Sequence, residues 1–277
     1  LRNNIVPVLV DSELAPELLE RLIKTYEPAF IWGPRLGLAG LGLPIVHSYD
    51  TFDLVRTSYS VEVDLHPDLA LLLTTSGSTG SPKLVRQSYR NIEANTNSII
   101  EYLGILPSDR PITTLPMSYT YGLSIINSHL VAGATILMTN HTLMEKEFWT
   151  FLKEQKATTF GGVPYTYQML DRLRLFNMDL PSLRYLTQAG GKLSYELSLK
   201  VATKAREKDI DFIVMYGQTE ATARMSYLPP ERAIDKCGSM GVAIPGGELW
   251  LQDEEGNLID EAEVTGELVY RGDNVTL

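Results

Sequence analysis

Residues 158–220 read TTFGGVPYTYQMLDRLRLFNMDLPSLRYLTQAGGKLSYELSLKVATKAREKDIDFIVMYGQTE, and their pattern indicates the class of fold. Short apolar runs alternate there with longer segments of helical periodicity. The predicted strands are Thr158–Val163, Leu183–Gln188 and Phe212–Tyr216, and the predicted helices between them are Pro164–Leu173 and Tyr195–Glu207. A strand–helix–strand–helix–strand order is typical of a parallel sheet that helices cover on both faces.

The same alternation extends toward the N-terminus as far as Ile5, with a Gly-rich loop predicted at Leu36–Pro44. After Thr222 the pattern changes to short strands joined by turns, without a helical segment. We therefore predict an α/β fold in which residues 1–229 form stacked, mostly parallel sheets covered by helices. Residues 230–277 then begin a β-rich subdomain that is incomplete, with the boundary near Pro229–Pro230.

The composition is that of a core-forming chain: 44% of the 277 residues are hydrophobic and 21% are charged. This balance excludes a disordered, collagen-like or coiled-coil chain. A single cysteine excludes a disulfide scaffold and favours a reducing, cytoplasmic setting. No apolar run reaches the roughly 18 residues of a membrane helix, so we expect no membrane span. The formal net charge of −10 argues against nucleic acid as a partner, because phosphate backbones attract basic surfaces.

A segment rich in Ser, Thr and Gly, TTSGSTGSPK at Thr74–Lys83, follows a predicted strand. Its glycines let backbone N–H groups turn toward an anion, its hydroxyls add donors, and Lys83 adds a mobile positive charge. These groups suit a polyphosphate, although the spacing is not that of the Walker motif. A simple turn between two strands explains the same residues, so both interpretations stay open at this point.

The segment YGQTE at Tyr216–Glu220 also follows a predicted strand. Ligands collect at the carboxyl ends of parallel strands. There Tyr216 offers a flat face to a base, Thr219 a donor to a phosphate and Glu220 a hard oxygen to Mg²⁺. The first turn of a helix would contain the same residues equally well.

Two further strand ends carry residues of a kind that binds ligands. The segment QAGGKL at Gln188–Leu193 has adjacent glycines, which let the backbone approach a planar group closely. The segment PMSYTYGL at Pro116–Leu123 places aromatic side chains at another strand end. A helix-initiating turn explains the former and core packing the latter, but four such strand ends together favour one common site.

In chain order, TTSGSTGSPK, PMSYTYGL, QAGGKL and YGQTE resemble the motifs of the adenylate-forming (AMP-binding) enzymes. That superfamily includes acyl- and aryl-CoA synthetases, luciferases and the adenylation domains of peptide synthetases. The resemblance covers essentially the whole chain and continues in GSMGVAIPG at Gly238–Gly246 and GEL at Gly266–Leu268. It implies the large N-terminal domain of a ligase similar to the acyl/aryl-CoA synthetases.

The resemblance implies roles for the residues that match. The loop residues that would handle the β- and γ-phosphates of ATP are Thr75, Ser76, Gly77, Ser78, Thr79, Gly80 and Lys83. Gly190 and Gly191 would line the adenine and acyl pocket, and Tyr119 would gate the acyl side of it.

The last motif supplies the remaining implied roles. Tyr216 would stack on adenine with Gly217 beside it, Thr219 would contact the α-phosphate, and Glu220 would ligate Mg²⁺. Lys83, Thr219 and Glu220 are then the catalytic candidates.

The implied reaction is attack of a carboxylate on the α-phosphate of ATP, which gives an acyl adenylate and pyrophosphate. The acyl group then passes to a thiol on CoA or on an acyl-carrier domain. The segment Tyr119–Gly122 holds no carboxylate that could pair with the ammonium group of an amino acid. We therefore expect a small acyl or aryl carboxylic acid as substrate.

Members of the superfamily continue to a ribose-binding aspartate, a hinge and a small C-terminal domain with a catalytic lysine, and Leu277 precedes all three. The chain also begins well inside the usual large domain. We therefore expect an internal fragment that does not complete adenylation alone. The alternative is a non-catalytic nucleotide-binding platform of the same fold, against which the presence of Lys83 and Glu220 argues.

Overall fold

The computed structural model describes residues 5–12, 14–59, 64–75 and 83–277. The chain falls into two compact units, Leu1–Arg86 and Gln87–Leu277. The boundary expected near Pro229–Pro230 is a different division of the chain and stays a prediction. Among the described residues, no helix is both long enough and apolar enough to cross a membrane.

The first unit contains two small sheets. Its elements are β1 (Val8–Leu9), α1 (Pro16–Tyr26), β2 (Phe30–Pro34), α2 (Arg35–Leu38), a 3-10 turn (Ala39–Leu41), β3 (Ile45–Tyr49), β4 (Phe52–Arg56), β5 (Leu69–Leu73) and β6 (Val85–Ser88). One sheet has the order β1-β5-β6, with β1 parallel to β5, and the other is an antiparallel sheet of order β2-β4-β3. Strand β6 continues into the second unit.

The Gly-rich segment predicted as a loop at Leu36–Pro44 is helical in its first half, so this part of the prediction is wrong. Helix α2 follows β2 directly, and a 3-10 turn extends it to Leu41. Leu38 is buried, and its side chain lies against Gly33. Burial of an apolar side chain therefore offsets the low helix propensity of glycine.

The second unit is built on a seven-stranded sheet. Its elements are α3 (Tyr89–Leu103), β7 (Pro111–Thr113), α4 (Thr120–Val131), β8 (Leu137–Met138), α5 (Lys146–Glu154), β9 (Thr159–Gly162), α6 (Pro164–Arg172), a 3-10 turn (Leu175–Asn177), β10 (Tyr185–Gln188), α7 (Tyr195–Arg206), β11 (Asp211–Tyr216), a 3-10 turn (Thr219–Ala221), β12 (Ser226–Tyr227), a 3-10 turn (Pro230–Arg232), β13 (Val242–Ala243), β14 (Gly247–Gln252), β15 (Leu258–Ile259) and β16 (Glu267–Gly272). The strand order is β13-β12-β11-β10-β9-β7-β8. The strands from β8 to β11 are parallel, and β12 and β13 add two antiparallel strands.

Helices cover both faces of this sheet, as the alternation along β11 shows. Phe212 packs in one core with residues of α5, α6 and α7. Ile213, the next residue, packs in another core with residues of α3 and α4. Successive side chains of a strand point to opposite faces, so the two sets of helices lie on opposite sides of the sheet. The predicted α/β class with a mostly parallel, helix-covered sheet is confirmed.

The strands after Thr222 divide between two sheets. Strands β12 and β13 complete the large sheet, whereas β14, β15 and β16 form a separate antiparallel sheet of order β15-β14-β16. The segment DEEGN at Asp253–Asn257 connects β14 to β15, as its turn residues predict. Asp253 accepts hydrogen bonds from the backbone N–H groups of Glu255 and Asn257 at 3.0 and 2.7 Å, which stabilises the turn.

Candidate active site

The motif-bearing segments of the second unit follow three parallel strands of one sheet, β7, β10 and β11. In the sheet β7 pairs with β9, β9 with β10, and β10 with β11, so the four strands end at one edge. The segment Pro116–Leu123 follows β7, Gln188–Leu193 closes β10, and Tyr216–Glu220 closes β11. This is the edge at which ligands bind in open parallel sheets.

Tyr119 and Gly190 meet at this edge. Gly190 has a φ of +78°, and a Cβ at this position would overlap the hydroxyl oxygen of Tyr119 and lie 3.1 Å from Val163 Cγ1. Only glycine combines this backbone conformation with the absence of a side chain. The neighbouring Gly191 accepts a hydrogen bond at its carbonyl from Gln188 Nε2 at 2.9 Å, which holds the turn after β10.

The chain folds back on itself after β11. A Cβ at Gly217 would overlap the carbonyl oxygen of Ala223, so glycine is required by the close approach of two backbone segments. Met225 N–H donates to the carbonyl of Tyr216 at 2.9 Å and closes the turn. Tyr216 stands at the end of β11 with 38% of its surface exposed, so its ring is open to a planar ligand.

Thr219 and Glu220 lie in the short 3-10 turn Thr219–Ala221. Thr219 is buried, and its carbonyl accepts a hydrogen bond from Gln87 Nε2 at 3.3 Å. Glu220 is exposed, and its carbonyl accepts hydrogen bonds from the backbone N–H and the hydroxyl of Thr276, both at 3.0 Å. The backbone of this turn is therefore fixed while the carboxylate of Glu220 stays accessible.

The donor set at this turn suits Mg²⁺ held jointly with a phosphate. Within the described ranges, no group of three or more His, Cys, Asp or Glu side chains could hold a metal ion. Mg²⁺ is commonly bound by one or two carboxylates together with substrate phosphates rather than by a protein cage. A single accessible carboxylate at Glu220 fits that pattern.

The predicted phosphate loop belongs to the other unit. Thr75 follows β5 and is partly buried, and Lys83 is exposed two residues before β6. The five loop residues between them in the prediction, Ser76, Gly77, Ser78, Thr79 and Gly80, lie outside the described residues. The roles of Thr75 and Lys83 toward phosphate stay predictions.

Arg224 is the residue that sequence analysis missed at this site. It is only 1% exposed, and its guanidinium carbon lies 4.1 Å from the centroid of the Tyr121 ring. Nη2 donates to Ser124 Oγ at 3.0 Å, while Nε has no hydrogen-bond partner among the described residues. Arg224 also forms no ion pair within the part of the chain that the structure describes. An arginine placed four residues after Glu220 in an otherwise small and apolar run was the available signal.

Two tyrosines lie close to the buried arginine, and its charge acts on both. Tyr121 donates to the carbonyl of Thr187 at 2.9 Å, and its ring meets that of Tyr119 edge-on at 6.2 Å. Burial raises the pKa of Tyr119 and of Tyr121, and the positive charge of Arg224 opposes the rise in both. Both hydroxyls are therefore neutral near pH 7.

Comparison with known proteins places the whole chain in one family. The family model described as "AMP-binding enzyme" matches residues 2–277. The chain is 27% identical over 229 residues to a 2-succinylbenzoate–CoA ligase of Listeria monocytogenes, which covers 82% of this chain and 42% of that protein. It is 32% identical over 246 residues to an oxalate–CoA ligase of Arabidopsis thaliana, covering 86% of this chain and 46% of that protein. The chain thus spans less than half the length of these curated relatives.

Solved structures agree with this result at the level of the fold. The O-succinylbenzoate–CoA synthetase of Bacillus subtilis in complex with AMP superposes with a TM-score of 0.75 at 23% identity, covering 97% of this chain and 55% of that chain. A fatty acyl-CoA synthetase of Mycobacterium tuberculosis superposes with a TM-score of 0.66 at 22% identity, covering 80% of this chain and 42% of that chain. By the match over residues 2–277, the chain belongs to the family of AMP-binding enzymes.

Proposed function

We propose that this chain is the nucleotide- and acid-binding part of an ATP-dependent ligase, which activates a small carboxylic acid as its acyl adenylate and passes it to a thiol. The observation that carries the proposal is the common edge of the large sheet. There the segments that contain Tyr119, Gly190, Tyr216 and Glu220 follow parallel strands of the same sheet. The naming of two relatives as CoA ligases supports CoA as the thiol.

The proposed chemistry brings two anions together, the carboxylate and the α-phosphate. Binding them side by side in one orientation replaces an encounter in solution, which lowers the entropic part of the barrier. The exposed ring of Tyr216 would hold the base, and Thr219 would donate to the α-phosphate. Mg²⁺ at Glu220 would supply charge neutralisation to the phosphates.

Arg224 places a positive charge in the interior beside the tyrosines of the Pro116–Leu123 segment. Its buried positive charge stacks on Tyr121, which in turn meets Tyr119. A positive charge there favours a nearby anionic group over a cationic one, which agrees with an acid that lacks an ammonium group.

The 2-succinylbenzoate and oxalate named for the two relatives are small acids with two carboxyl groups. We propose acids of this size as the first to be examined for this protein. The carrier-domain thiol remains the second candidate acceptor, since nothing in the described residues distinguishes it from CoA.

ATP–pyrophosphate exchange tests this function directly. The protein, expressed from its complete reading frame, is assayed with MgATP and a panel of small mono- and dicarboxylic acids alongside the corresponding amino acids. We expect exchange with one or more acids and none with the amino acids. Preferential exchange with an amino acid would refute the acid substrate. A protein that binds MgATP but exchanges with no acid would support the non-catalytic platform instead.

A further inference from the structure

The turn that carries Thr219 and Glu220 ends in a strained residue. Thr222 has a φ of +64° and a ψ of −34°, and it is buried. A β-branched residue rarely adopts a positive φ, because its side chain crowds the backbone there. Such conformations cost on the order of 1–3 kcal/mol and persist only where surrounding contacts enforce them.

Several side chains hold this turn: Thr120 and Gln87 donate to the carbonyl of Thr222, and Asn274, in the segment after β16, binds the residues on either side of it. Its side-chain amide donates to the carbonyl of Ala221 at 2.8 Å and to the carbonyl of Arg224 at 2.9 Å. It thus binds the backbone on both sides of Thr222. In return, the Thr222 hydroxyl donates to the backbone carbonyl of Asn274 at 2.6 Å.

Asn274 is itself held in one orientation. It is 3% exposed, and its Oδ1 accepts a hydrogen bond from the Tyr270 hydroxyl at 2.8 Å. The backbone around it is fixed by Asn91 Nδ2, which donates to the carbonyls of Asp273 and Val275, both at 2.7 Å. Asn91 also closes a capping box with Ser88 at the start of α3. Both polar atoms of the Asn274 side chain therefore have hydrogen-bond partners, and the orientation of its amide group is fixed.

We propose that Asn274 is a positioning residue of the active site, which holds residues 219–224 in the strained conformation that presents Thr219 and Glu220 to the nucleotide. Thr276 acts in the same direction through its two hydrogen bonds to the carbonyl of Glu220. This inference rests on the proposed function of Thr219 and Glu220. It adds that the segment after β16 sets the geometry of a turn about fifty positions earlier in the chain.

The test compares Asn274→Leu with the wild-type protein by two independent measurements. Leucine has the same number and branching of side-chain heavy atoms as asparagine, but it removes one hydrogen-bond donor from each of the carbonyls of Ala221 and Arg224. Hydrogen–deuterium exchange followed by mass spectrometry should show faster exchange in the peptide spanning residues 216–225. In ATP–pyrophosphate exchange, kcat should fall about ten- to a hundred-fold, as expected for a small misplacement of reacting groups. The Mg²⁺ concentration for half-maximal rate should rise, while the KM for the acid changes little.

Two further variants separate positioning from general loss of stability. Phe148→Leu perturbs the core around α5 on the opposite face of the sheet, and it should lower stability without changing kcat or the Mg²⁺ requirement. Thr276→Val removes one hydrogen bond to Glu220, and it should give a smaller effect in the same direction as Asn274→Leu. If Asn274→Leu does not fold, the same two measurements on Thr276→Val test the proposal.

Each outcome has a definite meaning. Unchanged hydrogen exchange at residues 216–225 would overturn the proposal, and so would faster exchange with an unaltered kcat and Mg²⁺ requirement. A wild-type protein that shows no pyrophosphate exchange with any acid would overturn the proposed function, and the catalytic role of Asn274 with it. Hydrogen exchange would still establish in that case whether Asn274 holds the turn.

Discussion

The hydroxyl oxygen of Tyr119 lies in the space that a side chain at Gly190 would occupy. Tyr119 immediately precedes α4, and Gly190 follows β10, so the contact joins two segments about seventy positions apart at the edge of the sheet. The proposed gate and the wall of the proposed acid pocket are therefore in direct contact. A substitution at Tyr119 should therefore alter the environment of Gly190, and a substitution at Gly190 should displace Tyr119.

Gly190→Ala is expected to destabilise the protein more than the matched change Gly246→Ala. Both glycines have a positive φ, +78° and +80°, but only Gly190 has neighbours within 4 Å of the added Cβ. The backbone penalty of roughly 1–2 kcal/mol is common to both. The overlap with Tyr119 should add about 1–3 kcal/mol at residue 190. Denaturant unfolding of the two variants measures the difference.

Tyr119→Phe supplies the control for this contact. It removes the overlapping hydroxyl, and the ring carbon behind it lies at an ordinary distance of 3.4 Å from the added Cβ. The double variant should therefore recover part of the extra loss, because the contact of the added Cβ with Val163 Cγ1 at 3.1 Å remains. Equal losses for Gly190→Ala and Gly246→Ala, with no recovery, would show that the contact is not tight.

Glu220→Gln should slow ATP–pyrophosphate exchange about 10²–10³-fold, the usual effect of removing one stabilising group from a reacting charge. Glutamine keeps the shape of the side chain but lacks the charge that a metal-bound phosphate requires. Glu254→Gln, in the exposed turn between β14 and β15, is the matched control and should leave the rate unchanged. Equal rates for wild type, Glu220→Gln and Glu254→Gln would show that the Glu220 carboxylate takes no part in the reaction.

Tyr102→Phe is expected to flatten the alkaline dependence of stability. Burial raises the pKa of Tyr102 from its ordinary value of 10.0 to about 12. The unfolded chain releases this proton at lower pH than the folded protein does. The contribution of this hydroxyl to the free energy of unfolding is therefore complete below about pH 10. It falls by about 1.4 kcal/mol per pH unit as the pH rises toward about 12.

Denaturant unfolding at several pH values between about 9 and about 11.5 measures this slope. Phenylalanine keeps the stacking of residue 102 on Tyr227, whose ring centroid lies 4.3 Å away. Tyr165→Phe, at a tyrosine that is 67% exposed, is the control and should keep the wild-type slope. Parallel slopes for Tyr102→Phe and wild type would contradict the assigned burial of this hydroxyl.

Much of the fold follows from the local pattern, since each predicted strand from β9 to β11 and each helix between them recurs with its ends shifted by a residue or two. The strand order does not follow from it, because β7 lies between β9 and β8 rather than beside β10. That order is a property of tertiary packing. Without it, the meeting of Tyr119 with Gly190 could not be derived from the two motifs alone.

The residues of the candidate site also differ in how far they could be predicted from the local sequence. YGQTE could be recognised because its residues act close to a strand end, whereas Arg224 and Asn274 act through partners far along the chain. Arg224 reads as an ordinary strand residue until its guanidinium is found on the Tyr121 ring. Asn274 follows β16 and carries no local sign that it binds the carbonyls of Ala221 and Arg224.

Calorimetric titration of ATP into the complete protein, with and without Mg²⁺, tests the central claim most directly. The claim is that the segments ending β10 and β11 bind a magnesium-associated triphosphate through Glu220. We predict heat of binding for wild type that depends on Mg²⁺, and loss of that dependence in Glu220→Gln. Binding that ignores Mg²⁺, or that is the same in both proteins, would contradict the account.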